Sequence, residues 1–192
     1  MMSFQKGVCH TSTVAQAIRE RIRRSGPIPF ADYMELCLYA PGTGYYTSGK
    51  ARVGAQGDFV TSLTIHPAFG ALLCAALEGM WRALGRPGRF TAVEMGAGDG
   101  RLAQDILAYA RHLEPDFGAA LDYTAVELGH EFVTGPCPEP VQGHGPAHRP
   151  DRAIRWLSSL EKLGEPVVGC FLSNELVDSF PVHRVVVREG RL

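Results

Sequence analysis

The sequence predicts an α/β fold built on a doubly wound, mostly parallel sheet. Three observations predict it. Short apolar runs alternate with segments of helical spacing through the second half of the chain, the pattern of βα units. One of those runs, Phe90–Val93, leads through Glu94-Met95-Gly96-Ala97-Gly98-Asp99-Gly100 into Leu102, Ala103, Ile106 and Leu107, which reads as strand, glycine turn and helix. And 192 residues can bury one good core, with little room for a second.

The elements follow in order. Ser12 or Thr13 can cap a helix with Val14, Ile18 and Ile22 on one face, ended by Gly26-Pro27. Its other faces carry Arg19, Arg21, Arg23 and Arg24; a solvated basic face is a simpler reading than a patch for an acidic partner. A second short helix, Phe30 to Leu38, stops at Pro41-Gly42-Thr43-Gly44. Tyr45 to Thr64 reads as a loop, and a loop of that length in a compact domain is usually functional or disordered. Ala68 to Leu84 is a strongly apolar helix whose broad stripe (Phe69, Leu72, Leu73, Leu77, Met80, Trp81) is most simply core.

Strands and helices then alternate. Phe90–Met95 is the first strand, Leu102–His112 a helix, and Asp122–Glu127 a second strand. Ile154–Leu157, Pro166–Leu172 and Val182–Val187 read as further strands, the last entering a hairpin turn at Glu189-Gly190. Residues 129–151 break the pattern, being rich in proline, glycine and histidine and without periodicity. They read as a flexible loop or as a frameshifted stretch, and their histidines lack a recognised metal-ligand spacing. The expected organisation is an N-terminal helical and loop extension over residues 1–89 that contributes to the ligand site. A partial, Rossmann-like domain with an incomplete sheet follows over 90–192.

A net charge of −1 gives no global electrostatic case for nucleic acid or a membrane surface. No apolar run is long enough to span a bilayer, and the first ten residues show neither a signal core nor a transit pattern. The five cysteines are scattered, and Cys37, Cys74 and Cys170 lie in apolar runs, where they read as small core residues. A reducing cytoplasm is the expected compartment, and no metal site is expected.

The chemistry is concentrated in the glycine turn. Alternate glycines let the backbone turn sharply and lie against a ligand. A dinucleotide turn would place its third glycine at Arg101, and Asp99 would set negative charge beside the pyrophosphate. S-adenosylmethionine carries a sulfonium and an ammonium instead of phosphate. The spacing Glu94-x-Gly96-x-Gly98-x-Gly100 suits that cation, with Glu94 facing the ammonium directly or through water.

A wider constellation resembles a known family. Gly26-Pro27-Ile28, Tyr33-Met34, Leu38-Tyr39-x-Pro41-Gly42-x-Gly44-Tyr45-Tyr46, Gly57-Asp58-Phe59-x-Thr61-Ser62, Phe69-Gly70, the glycine turn and Ser173-Asn174-Glu175-Leu176-x-Asp178-x-Phe180-Pro181-Val182-His183 occur in that order. Together they resemble the MidA-type S-adenosylmethionine-dependent methyltransferases. The resemblance implies a class I methyltransferase fold, S-adenosylmethionine as cofactor, and a protein substrate with an arginine acceptor on a respiratory-complex-type subunit. It implies a cofactor site made by Glu94, Gly96, Gly98 and Gly100, with Glu127 on the ribose and Asp58, Phe59, Thr61 and Ser62 lining the site from the N-terminal side. Asn174, Glu175 and Asp178 would face the methyl group and its acceptor. Without the resemblance, these last acids read equally well as helix N-terminal acids favoured by the dipole. Two other readings stand beside this one: a non-catalytic family member that binds a partner in assembly, and a methyltransferase for a small molecule.

Overall fold

The structure is a computed structural model that describes residues 13–48, 65–128 and 154–191. Two compact units divide the chain, one of residues 1–51 with 177–192, the other of residues 52–176.

The first unit holds helices α1 (Thr13–Ser25) and α2 (Phe30–Tyr39). Gly26, at φ +78°, ends α1 and returns its N–H to the Ile22 carbonyl at 2.8 Å, the left-handed C-terminal cap that glycine favours. After α2 the chain folds back tightly. A Cβ on Gly44 would stand 2.6 Å from the Ala40 nitrogen, so only glycine fits there. Tyr39 stacks on Tyr46, which meets Tyr45 edge to face, and the Tyr39 hydroxyl donates to the Ser179 carbonyl at 3.1 Å. Burial is the main cause that raises the Tyr46 phenol above its ordinary range, with Tyr39 and Asp178 adding to it.

The strand expected over Val182–Val187 does not form. β-branched composition favours a pleated, half-buried surface, but a strand needs a ladder partner. None pairs with this segment among the described residues, and Val185, Val186 and Val187 are two-thirds exposed. The hairpin turn after it is present: Glu189 and Gly190 both have positive φ, and Arg188 and Arg191 pair antiparallel across them.

The second unit holds helix α3 (Ala68–Ala83), strand β1 (Phe90–Met95), helices α4 (Arg101–Ala110) and α5 (Pro115–Ala120), and strands β2 (Leu121–Val126), β3 (Arg155–Leu157) and β4 (Gly169–Ser173). The strands form one parallel sheet in the order β3-β2-β1-β4. Alternation along β1 and β2 sends Phe90 and Ala92, Leu121 and Tyr123 to one face, where Cys74, Leu77 and Trp81 of α3, Leu102 and Ile106 of α4 and Phe117 of α5 complete the main core. The opposite face carries Val93 and Val126, covered by Leu163 of the single-turn helix Leu160–Leu163 between β3 and β4. The α/β sheet is thus wound on both faces, as the alternating pattern predicts.

Three local expectations are corrected. In α3, Leu72 and Met80 are exposed, so the core stripe is narrower than the sequence suggests. Helix α5 was not legible, because six residues are too few for a period to show; Pro115 at its first turn is the local signal that remains. The strand predicted from Pro166 begins only at Gly169, which lies so close against the Thr91 backbone carbonyl that no Cβ fits. The readings of 49–64 and 129–151, together with Ser12, fall outside the described residues.

Candidate cofactor site

The strand order creates a switch point. From β1 the chain moves outward to β2 and β3, then returns to place β4 on the other side of β1. In open α/β sheets, ligands bind beyond the carboxyl ends of the strands where the order reverses. Three segments of the second unit meet that description: Gly96–Gly100 after β1, Glu127 after β2, and Asn174–Leu176 after β4.

The glycines of the turn do different jobs. All three have positive φ: +70° at Gly96, +56° at Gly98 and +77° at Gly100. A Cβ on Gly96 would stand 2.8 Å from Leu176 Cδ1, and one on Gly100 would stand 2.7 Å from Trp156 Cζ2. These two are glycine because protein packs against them. Gly98 would meet nothing within 4 Å, so its backbone faces open space. A bare backbone held open at the switch point is what close approach by a ligand requires.

Hydrogen bonds fix the turn. The Gly96 N–H donates to the Val126 carbonyl at 2.9 Å and the Gly100 N–H to the Ala97 carbonyl at 2.9 Å. Asp99 Oδ1 accepts from the Arg101 N–H at 3.1 Å, satisfying a first-turn amide of α4. The Gly98 N–H donates to Glu127 Oε2 at 2.7 Å, the length of a charge-assisted bond. Glu127 therefore holds the turn from the end of the neighbouring strand.

Glu94 is 2% exposed and lies on the helical face of β1, abreast of Ala125 and Leu172. The Tyr123 hydroxyl donates to its Oε2 at 2.9 Å. Burial pushes the Glu94 carboxyl up to about 7; the Tyr123 hydrogen bond opposes that rise, while the negative charges of Asp99 and Glu127 add to it. The Tyr123 phenol is itself raised, by burial first and then by Glu94. Three carboxylates around one turn favour a cationic ligand and disfavour a pyrophosphate. That is the chemistry of an ammonium-bearing cofactor, and the open backbone at Gly98 fits it.

The other predicted site residues are placed as follows. Asn174 is half-buried and Glu175 exposed, directly after β4. Glu175 has φ +50°, a left-handed conformation that costs a non-glycine residue about 1–3 kcal/mol. Asp178 belongs to the first unit, in the single turn Val177–Ser179, and is not brought beside Glu175 within one unit. Asp58, Phe59, Thr61 and Ser62 lie outside the described residues. Sequence reasoning missed Tyr123, Trp156 and Leu176. For Tyr123 a signal existed: strand alternation puts it on the same face as Glu94 once β1 and β2 are paired. Among the described residues, no group of three His, Cys, Asp or Glu side chains could hold a metal ion, and no helix is long and apolar enough to cross a membrane.

A parallel sheet with a glycine turn, a buried acid and a strand-end acid at its switch point defines a nucleoside-binding α/β protein of the S-adenosylmethionine type. Comparison with known proteins gives the family: residues 72–192 match the model of the family described as "Putative S-adenosyl-L-methionine-dependent methyltransferase", and the chain belongs to it. The human mitochondrial protein arginine methyltransferase NDUFAF7 is 41% identical over 177 residues, covering 85% of this chain and 40% of that protein. Its Drosophila melanogaster homologue is 29% identical over 191 residues, covering 93% of this chain and 43% of that protein. A crystal structure of a COG1565 superfamily member from Burkholderia thailandensis, bound to S-adenosyl-homocysteine, superposes with TM-score 0.64 at 31% identity, covering 88% of this chain and 42% of that one. The chain spans less than half the length of these curated relatives.

The compartment is a correction. These relatives are named as mitochondrial, which overturns the expectation of a cytoplasmic protein. Free thiols report a reducing environment and carry no address, so cysteine usage could not have told the two apart. Cys74 is buried in the core, as expected, and Cys37 and Cys170 are half-buried.

Proposed function

We propose that the complete protein transfers a methyl group from S-adenosylmethionine to an arginine of a protein substrate, and that this chain supplies the cofactor half of the site. The observation that carries the reading is the open Gly98 backbone pinned by Glu127, beside the buried Glu94. When bound, the cofactor supplies an activated methyl on a sulfonium. Glu94 would answer its ammonium, the turn from Gly96 to Gly100 would present the bare Gly98 backbone to its tail, and Glu127 would accept from its ribose hydroxyls. Asp58, Phe59, Thr61 and Ser62 would line the site from the N-terminal extension, residues 1–89, with the partial Rossmann-like domain following over 90–192.

A guanidinium is a poor nucleophile because its charge is delocalised and it keeps its proton in proteins. A carboxylate bonded to it can localise the cation on two nitrogens and leave a lone pair on the third. Glu175 and Asp178 are proposed for that role, with Asn174 orienting the substrate. The strained backbone at Glu175 supports its assignment, since strain of this kind collects at functional sites. The acceptor follows the relatives, which are named protein arginine methyltransferases; a respiratory-complex subunit is the acceptor class that the sequence resemblance implies.

The test is calorimetry with S-adenosyl-homocysteine, followed by a transfer assay on the complete protein. Glu175→Gln should cut transfer more than tenfold, about 1.4 kcal/mol in barrier, with cofactor affinity near the parental value. Parental transfer rates in both Glu175→Gln and Asp178→Asn would refute the arginine mechanism. Tight cofactor binding without transfer to any protein would instead indicate a binding or assembly role.

A further inference from the structure

The buried pair at the centre of the sheet reaches beyond the glycine turn. Tyr123 lies opposite Ala92 in the β1–β2 register, one step before the Ala125–Glu94 pair, and its side chain shares the helical face with Glu94. Both residues are almost fully buried, at 3% and 2% exposure. A phenylalanine would fill the same apolar space among the core residues of α3 and α4. The hydroxyl that distinguishes tyrosine donates to Glu94 Oε2 at 2.9 Å.

We propose that Tyr123 is a positioning residue of the cofactor site, holding the Glu94 carboxylate in one orientation and in the ionised form that a ligand ammonium requires. This rests on Glu94 being the acid that answers the ammonium. The groups acting on Glu94 support the role. Asp99 and Glu127 each disfavour its charge, as does burial, and the Tyr123 hydroxyl favours it. Around Tyr123 stand Glu94, Cys170 of β4 and Cys74 of α3, and the Cys74 thiol is pushed up to about 12 by burial and Glu78. Across the helical layer, Asp105 of α4 packs against Gly70 of α3. An acid so placed needs a neutral donor, because a buried cation would compete with the ligand for it.

The experiment compares the intact parent with Tyr123→Phe and Glu94→Gln. Carboxyl-carbon NMR reads the Glu94 titration without ligand, and calorimetry reads S-adenosyl-homocysteine affinity from pH 5.5 to 7.5, where the ligand keeps its ammonium. Thermal melts confirm that each variant folds. In Tyr123→Phe the Glu94 midpoint should rise by about one pH unit, and affinity at pH 6.5 should fall about tenfold, the gap narrowing as pH rises. In Glu94→Gln affinity should lose its pH dependence, and adding Tyr123→Phe should change nothing further. An unmoved midpoint, or the same loss at every pH, overturns the proposal. A midpoint that moves while affinity ignores pH overturns the link between Glu94 and the ligand. Failure of the parent to bind the ligand at all overturns the cofactor reading, and the NMR titration still reads the Tyr123–Glu94 coupling by itself.

Discussion

Replacing Glu94 by glutamine should stabilise the protein, increasingly so as pH rises. In the unfolded chain this carboxyl titrates near its ordinary 4.5; in the fold burial holds it at about 7. Between those values the native state binds the extra proton, so rising pH drains stability through that window. The full cost, reached above pH 7, is on the order of 3 kcal/mol at about 1.4 kcal/mol for each tenfold displacement. Glutamine keeps the shape and an oxygen for the Tyr123 hydroxyl but has no proton to lose. The assay is chemical denaturation of parent and Glu94→Gln from pH 4.5 to 8.5, taking the difference at each pH so that shared titrations cancel. The difference should be small near pH 4.5 and grow by about 2–3 kcal/mol by pH 8, roughly 4–12 °C in melting temperature for a chain of this size. Saturating S-adenosyl-homocysteine should shrink it, since the ligand's ammonium compensates the charge in the parent alone. Two denaturation curves that stay parallel across pH would refute the raised Glu94 carboxyl of the ligand-free fold.

Other substitutions separate packing from ligand approach. Gly98→Val adds bulk where nothing stands within 4 Å, so it should abolish S-adenosyl-homocysteine binding in calorimetry while the strained φ of +56° costs about 1–2 kcal/mol of stability; retained affinity would show that ligand does not approach this backbone. Gly100→Ala meets both a positive φ and the Trp156 ring, and should lower stability in denaturation by a larger amount, about 2–4 kcal/mol. Glu127→Ala removes the acceptor for the Gly98 N–H as well as the proposed ribose contact, and should weaken cofactor affinity by one to two orders of magnitude, about 1.5–3 kcal/mol.

The legibility of this fold in the sequence follows the kind of information each element needs. Phe90–Met95 is legible to the residue because an apolar run ending at a glycine turn is a local signal, and β2 is legible within one residue as a short run that ends at Glu127. The valines of 182–187 have the same composition as a buried strand. Strand formation depends on a partner, though, and composition does not record one. The acid of the turn was found by spacing, yet its burial and its bond to Tyr123 depend on how β1 and β2 pair, which is a non-local fact. The same holds for the second reason why Gly96 and Gly100 are glycine, since Leu176 and Trp156 are distant in the chain.

The arrangement of acids explains why a glycine turn of this kind suits a cationic cofactor. Glu94, Asp99 and Glu127 surround one short loop, and a neutral donor reaches each: the Tyr123 hydroxyl, the Arg101 amide and the Gly98 amide. Neutral donors orient a carboxylate without cancelling its charge. A lysine or arginine in their place would form a closed ion pair and leave nothing for a ligand to neutralise. A pyrophosphate would add two charges of the wrong sign to this loop, whereas an ammonium relieves the repulsion that raises Glu94. The dinucleotide fingerprint differs at the corresponding points, needing a third glycine where Arg101 stands and free turn amides where Glu127 already occupies Gly98. In the proposed site the acids around the turn would make the choice of cofactor class, and the open Gly98 backbone would let the ligand come close.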